Sequence, residues 1–96
     1  MKIVWTRKAE KHLDQIFEYI NVDSAFYAYR TVQQIIETAE DIVSHPRKGR
    51  VVPEFEREDI REVFRYPYRI IYLLSENQID ILSVIHDRRL LSENPY

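Results

Sequence analysis

Arg61, Arg65, Arg69, His86, Arg88 and Arg89 are the residues of this chain whose types could do chemistry. A guanidinium offers a planar fork of donors to phosphate or carboxylate. An imidazole, with an ordinary pKa of about 6.5, can accept or release a proton near neutrality. Three of the arginines lie inside or beside short β-branched and aromatic runs: Ile60-Arg61-Glu62-Val63-Phe64 and Tyr68-Arg69-Ile70-Ile71-Tyr72. His86, Arg88 and Arg89 close a third run that begins Ile81-Leu82-Ser83-Val84-Ile85. A purely structural sheet has little reason to carry charge there, so the pattern points to binding or chemistry from a rigid surface. Each residue also has a plainer role. His86 can be a strand-end imidazole bonded to adjacent backbone. Arg61 and Arg69 can pair across strands with Glu62 or Asp80, and Arg88 and Arg89 can be a solvated charge pair. His12 and His45 belong to no motif and read as structural, and Trp5 and most tyrosines read as core and rim packing.

The three runs, bounded by turn residues, predict an antiparallel meander with Pro67 in its first turn and Ser75-Glu76-Asn77 in its second. Upstream, Lys2-Ile3-Val4-Trp5 is a brief strand that joins the same sheet. Thr6 can cap a helix whose apolar stripe is Ala9, Leu13, Ile16, Phe17 and Ile20. Asn21 stops it, Asp23 or Ser24 caps the next, and Ala25, Ala28, Val32, Ile35, Ile36, Ala39, Ile42 and Val43 form a second stripe. The short link implies an antiparallel helical hairpin, ended at His45-Pro46 because the residue before proline disfavours the α region. Residues 47–59 lack a period, are rich in charge and read as an extended connecting loop. Residues 90–96 read as a frayed end or a short pairing segment.

The expected fold is α+β, β-α-α-β-β-β, with the helical hairpin on one face of a small, mainly antiparallel sheet. Alternation puts Arg69, Ile71 and Leu73 on one face and Tyr68, Ile70, Tyr72 and Leu74 on the other. Both faces are apolar, and two helices cover only one. Either a partner chain meets the second face, or long side chains and the tail cover it.

Composition narrows the classes. Ninety-six residues at 45% hydrophobic and 12% aromatic content fit a single packed domain spanning 1–96. The absence of cysteine removes disulfides and Cys-based metal or redox sites, and neither metal nor cofactor is expected. A single glycine rules out a glycine-rich phosphate loop. A formal net charge of −2 gives no bulk attraction to nucleic acid. No apolar segment resembles a signal peptide or membrane span, so the expected location is the cytoplasm.

In order and spacing, several blocks resemble the RelE/ParE superfamily of toxins from bacterial toxin–antitoxin modules. They are the opening strand, Thr6-x-x-Ala9-x-x-x-Leu13-x-x-Ile16-x-x-Tyr19-Ile20, and His45-Pro46 followed by Gly49-Arg50-Val51-Val52-Pro53-Glu54. Ile60-Arg61-Glu62, Tyr68-Arg69-Ile70-Ile71-Tyr72 and Val84-Ile85-His86-Asp87-Arg88-Arg89 complete the likeness. The resemblance implies a toxin held in a hetero-oligomer by a cognate antitoxin that wraps an extended or helical segment around it. The Gly-Arg-x-Val-Pro-Glu loop and the Val-x-His-x-Arg-Arg ending look more like the ParE branch, which poisons DNA gyrase. The alternatives are the RelE branch, which cleaves messenger RNA on the ribosome, and an inactive module that keeps the fold for binding only.

Ribonuclease chemistry of the RelE kind needs a base for the 2′-hydroxyl, a cation for the phosphorane and an acid for the leaving 5′-oxygen. Arg61 or Arg69 would be the cation and His86 the base or acid. A second proton-transfer group is missing, because the loop where RelE-type enzymes carry lysines holds Glu54, Glu56, Glu58 and Asp59 here. Tyr96 is at the end of the chain, a poor place to fix a catalytic group. The gyrase reading needs no catalytic set, only a binding surface, for which Arg61, Arg65, Arg69, His86, Arg88 and Arg89 are the candidates.

Overall fold

The structure is a computed structural model that describes residues 1–89, 91 and 94–96. Strand β1 (Lys2–Trp5) leads through Thr6 into helix α1 (Arg7–Asn21), and helix α2 (Ala25–Glu40) follows after a three-residue link. Thr6 has extended backbone, and its hydroxyl accepts the Ala9 N–H at 3.1 Å, as the capping pattern requires. The same oxygen donates to the carbonyl of Ile81 at 2.8 Å, so the cap also ties the helix start to the sheet. Of the two candidate caps for α2, Ser24 serves: its Oγ accepts from the Tyr27 N–H at 3.2 Å. A 3-10 turn (Asp41–Ser44) carries Ile42 and Val43, the end of the second stripe, past the end of the α-helix.

Four further strands complete the sheet: β2 (Arg50–Val51), β3 (Ile60–Arg65), β4 (Tyr68–Leu74) and β5 (Gln78–His86). Their order is β1-β5-β4-β3-β2, antiparallel except that β1 runs parallel to β5. The expected α+β architecture is therefore present, with two departures. β2 lies within the segment read as loop, since a two-residue strand has too few positions to display alternation. β5 begins at Gln78, where it pairs with Lys2, and ends at His86, so Asp87, Arg88 and Arg89 form a turn instead of strand.

The helices bury Ala9, Ile35, Ala39 and Ile42 against Val63, Ile70, Tyr72, Ile79, Ile81 and Val84. Fully buried alanines on both helices allow close approach to the sheet. The opposite face holds a smaller cluster of Val52, Ile60, Ile71 and Leu82, with Phe55, Leu73 and Leu91 against it. Segment 52–59 and Leu91 cover this face; the alternation in β4 is as expected, and the chain supplies its own cover. Of the tail reading, residues 90, 92 and 93 lie outside the described residues, and the described tail residues form no strand.

Tyr72 is fully buried, and its hydroxyl donates to the Pro46 carbonyl at 2.7 Å and accepts the Gly49 N–H at 3.2 Å. Gly49 is required by this close approach: a β-carbon there would stand 2.5 Å from the Tyr72 hydroxyl and 2.6 Å from the Glu62 carbonyl oxygen. Because that carbonyl is backbone, the clash cannot be relieved by turning a side chain. Gly49→Ala should destabilise the protein by about 1–3 kcal/mol in urea unfolding, as overpacked interiors do. An unchanged midpoint would mean that the chain before β2 shifts freely.

Candidate functional site

On the sheet face away from the helices, four charges alternate in a line. Arg50 and Glu62 are direct partners across β2 and β3, with Arg50 Nε 2.6 Å from Glu62 Oε2. Glu62 Oε1 accepts from Arg69 Nε at 2.6 Å, across the β3–β4 diagonal. The two terminal nitrogens of Arg69 donate to the two oxygens of Glu54 at 2.8 and 2.9 Å, a bidentate clamp on segment 52–59. Glu62 is 1% exposed and Arg69 5% exposed. Hydrogen bonds from Arg69 hold the Glu54 carboxyl down to about 2, and Glu54 and Glu62 raise the Arg69 pKa further. Arg50 also stands over the Phe64 ring, 5.3 Å from its centroid.

Arg61 lies on the other side of β3. Its guanidinium donates to the carbonyls of Arg47, Gly49 and Glu58 and to the Glu58 carboxylate, at 2.9–3.2 Å. Its side chain is 11% exposed. Thus Arg61 fastens the start of the 47–59 segment, Arg69 fastens its middle, and the donors of these two guanidinia are largely occupied.

The remaining candidates gather at the other end of the meander, where Tyr68 pairs in register with Arg65 on one side and His86 on the other. Arg65, His86, Arg88 and Arg89 are exposed. Asp87 N–H donates to the Pro67 carbonyl at 2.7 Å, which joins the β3–β4 turn to the end of β5. His86 Nδ1 accepts the Arg88 N–H at 3.2 Å and lies 3.0 Å from Asp87 Oδ1, with the Tyr68 ring edge-on to the imidazole. In this arrangement Nδ1 is an acceptor, so the neutral ring carries its proton on Nε2. Protonated, the ring would instead pair with Asp87, whose Oδ1 is otherwise without a partner among the described residues. Burial pushes the Tyr68 phenol pKa up, with Tyr19 adding to the effect.

The structure thus brings Arg65, His86, Arg88 and Arg89 to one end, sets Arg69 in a buried ion network beside them, and leaves Arg61 apart. Glu54 and Arg50 were not legible as members of that network, because their partners lie in β3 and β4. Glu62 was already one of the two acids named as cross-strand partners for Arg61 and Arg69. Among the described residues no group of three or more His, Asp or Glu side chains could hold a metal ion. No helix there is long and apolar enough to cross a membrane.

The chromosomal ParDE toxin–antitoxin system from P. aeruginosa superposes with a TM-score of 0.73 at 27% identity, covering 90% of this chain and 95% of that one. The YoeB dimer from Staphylococcus aureus, at 16% identity and a TM-score of 0.60, shares the fold over 86% of this chain and 92% of that one. In sequence, Toxin RelE2 of Caulobacter vibrioides is 29% identical over 89 residues, covering 93% of this chain and 98% of its own length. The family model of the ParE toxin of the type II toxin–antitoxin system parDE matches residues 3–91, and the chain belongs to that family. It is the toxin component of a type II toxin–antitoxin system.

Two outcomes test the ion network. Arg69→Met leaves the buried Glu62 carboxylate with Arg50 alone and should lower the unfolding free energy by about 3–5 kcal/mol in chemical denaturation. Since the Glu54 carboxyl is held below its ordinary value of 4.5, to about 2, its stabilising contribution is complete above pH 4.5 and is lost as the pH falls toward 2. The stability difference between wild type and Glu54→Gln should be constant above that window and close within it. A difference independent of pH would place the stabilisation outside this carboxylate.

Proposed function

We propose that this toxin inhibits DNA gyrase by binding the enzyme while its DNA is cleaved, and that a cognate antitoxin neutralises it. The observation that carries the reading is the occupation of Arg61 and Arg69. A phosphorane needs a cation free to turn toward it, and both guanidinia are engaged by carboxylates or carbonyls within the fold. What remains exposed is Arg65, Arg88 and Arg89 around His86, a positive rim suited to anchoring a partner. Membership of the ParE family supports the same target class. Because segment 52–59 already covers the second sheet face, the apolar surface offered to an antitoxin is the helical hairpin, with Tyr19, Phe26, Tyr27 and Tyr29 more than half exposed.

The 3.0 Å approach of His86 Nδ1 to the Asp87 carboxylate favours a second reading, a ribosome-dependent messenger-RNA endoribonuclease in which an oriented imidazole moves the proton. One experiment separates them. The protein is incubated with gyrase, ATP and supercoiled plasmid, and linear, protein-linked DNA is scored. Accumulation is expected, and Arg88→Ala with Arg89→Ala should reduce it at least about tenfold, each lost charge-assisted anchor costing about 1.5–3 kcal/mol of binding. His86→Ala should have a smaller effect. No accumulation, together with translation-dependent RNA cleavage that His86→Ala abolishes, would establish the nuclease instead.

A further inference from the structure

Beyond Trp5, β1 no longer covers β5, and α1 lies along the strand edge that is left. His12 Nδ1 accepts the Val84 N–H at 3.1 Å, so His12 occupies the place of a neighbouring strand. With Nδ1 an acceptor, the neutral ring has its proton on Nε2. Lys8, His12, Ser83 and Arg89 line a cavity of about 230 Å³ at this edge, and none of the described residues that line it is acidic. Ser83 is 2% exposed, and its hydroxyl has no hydrogen-bond partner among the described residues. A buried hydroxyl in that condition is costly and uncommon, and it calls for a group that it can bond. Arg89 makes no ion pair among the described residues, and the Lys8 ammonium donates to a single carbonyl, that of Pro95, at 3.3 Å. The positive character of the place is felt by His12, whose pKa is lowered by burial first and then by Lys8 and Arg89.

We propose that this edge cavity binds a phosphoryl oxyanion, with Lys8 and Arg89 supplying charge and the Ser83 hydroxyl and His12 Nε2–H supplying hydrogen bonds. Two cations and two neutral donors around a small space match a tetrahedral dianion better than a planar carboxylate, which has fewer acceptor directions. The site shares Arg89 with the His86 rim, while Lys8, His12 and Ser83, on which its test rests, take no part in the gyrase reading.

Full-length protein is titrated with inorganic phosphate at constant ionic strength, with chloride as the reference salt, and followed by NMR at the Ser83 and Val84 amides and the His12 ring. Saturable shifts are expected there. Lys8→Gln and Ser83→Ala should each weaken binding about tenfold or more, as the loss of a charge-assisted or buried bond does. Ser83→Ala removes a hydroxyl without a partner among the described residues and should remain folded by circular dichroism; were it to unfold, Lys8→Gln would decide alone. Methyl phosphate distinguishes the sources. Binding equal to that of phosphate assigns the cavity to the phosphoryl group of a larger molecule, and binding of phosphate alone assigns it to the free ion. The proposal is overturned if wild type shows no saturable shift, if both variants bind as wild type does, or if acetate binds as tightly as phosphate.

Discussion

The closure of this molecule depends on one buried guanidinium. Arg69 sits in the middle of the sheet, on the face the helices do not reach, where an unpaired charge would be strongly destabilising. It is held there by Glu62 on one side and Glu54 on the other, and Arg50 completes the pairing of Glu62. The four charges alternate and sum to zero, so the network adds no net charge to a face that is otherwise apolar. Replacing such a set with well-packed apolar residues is often neutral for stability. Its contribution is better sought in geometry. The bidentate bond to Glu54 locates the middle of segment 52–59, and that location puts Val52 and Phe55 on Ile60, Ile71 and Leu82.

That dependence explains which parts of the structure were legible in the chain. The helical stripes, their caps and the alternation of β4 are local patterns, and each is read from spacing over a few residues. Parity also put Arg69 on the same side of β4 as Ile71 and Leu73, without showing which side the helices cover. The destination of the guanidinium was not legible, because Glu54 lies 15 residues away in a stretch with no period. By sequence, Glu54 counted as one of several acids in the loop where RelE-type enzymes carry lysines; in the fold, its charge is cancelled within the protein. His12 is a similar case. A lone histidine on a polar helix face carries no motif, and only the approach of α1 to the β5 edge gives its Nδ1 a task.

The edges of the sheet are managed by different means. On the β5 side, β1 pairs with residues through Ile81, after which Thr6 takes the Ile81 carbonyl and His12 takes the Val84 N–H. The helix therefore extends the sheet's hydrogen bonding by side chains where the strand has ended, and leaves no long free edge to recruit another chain. On the other side, β2 is only two residues long and carries the exposed Arg50. A short, charged edge strand is a poor template for further pairing.

A fold shared among toxins does not by itself choose a target, because function resides in the side chains mounted on it. In this chain the choice turns on which cations are free. Arg61 and Arg69, inside the strands, bind the protein's own carboxylates and carbonyls, so neither guanidinium is free to turn toward a phosphate. The exposed candidates are Arg65, the last residue of β3, and Arg88 and Arg89, on the turn after β5 that is fastened by the bond from Asp87 N–H to the Pro67 carbonyl. A catalytic cation must meet a reacting phosphate with sub-ångström precision, which a rigid sheet supplies and an exposed turn supplies less well. An anchor for a protein partner needs only charge and reach. This distribution of arginines is what supports the proposal of a binding surface over that of a catalytic one.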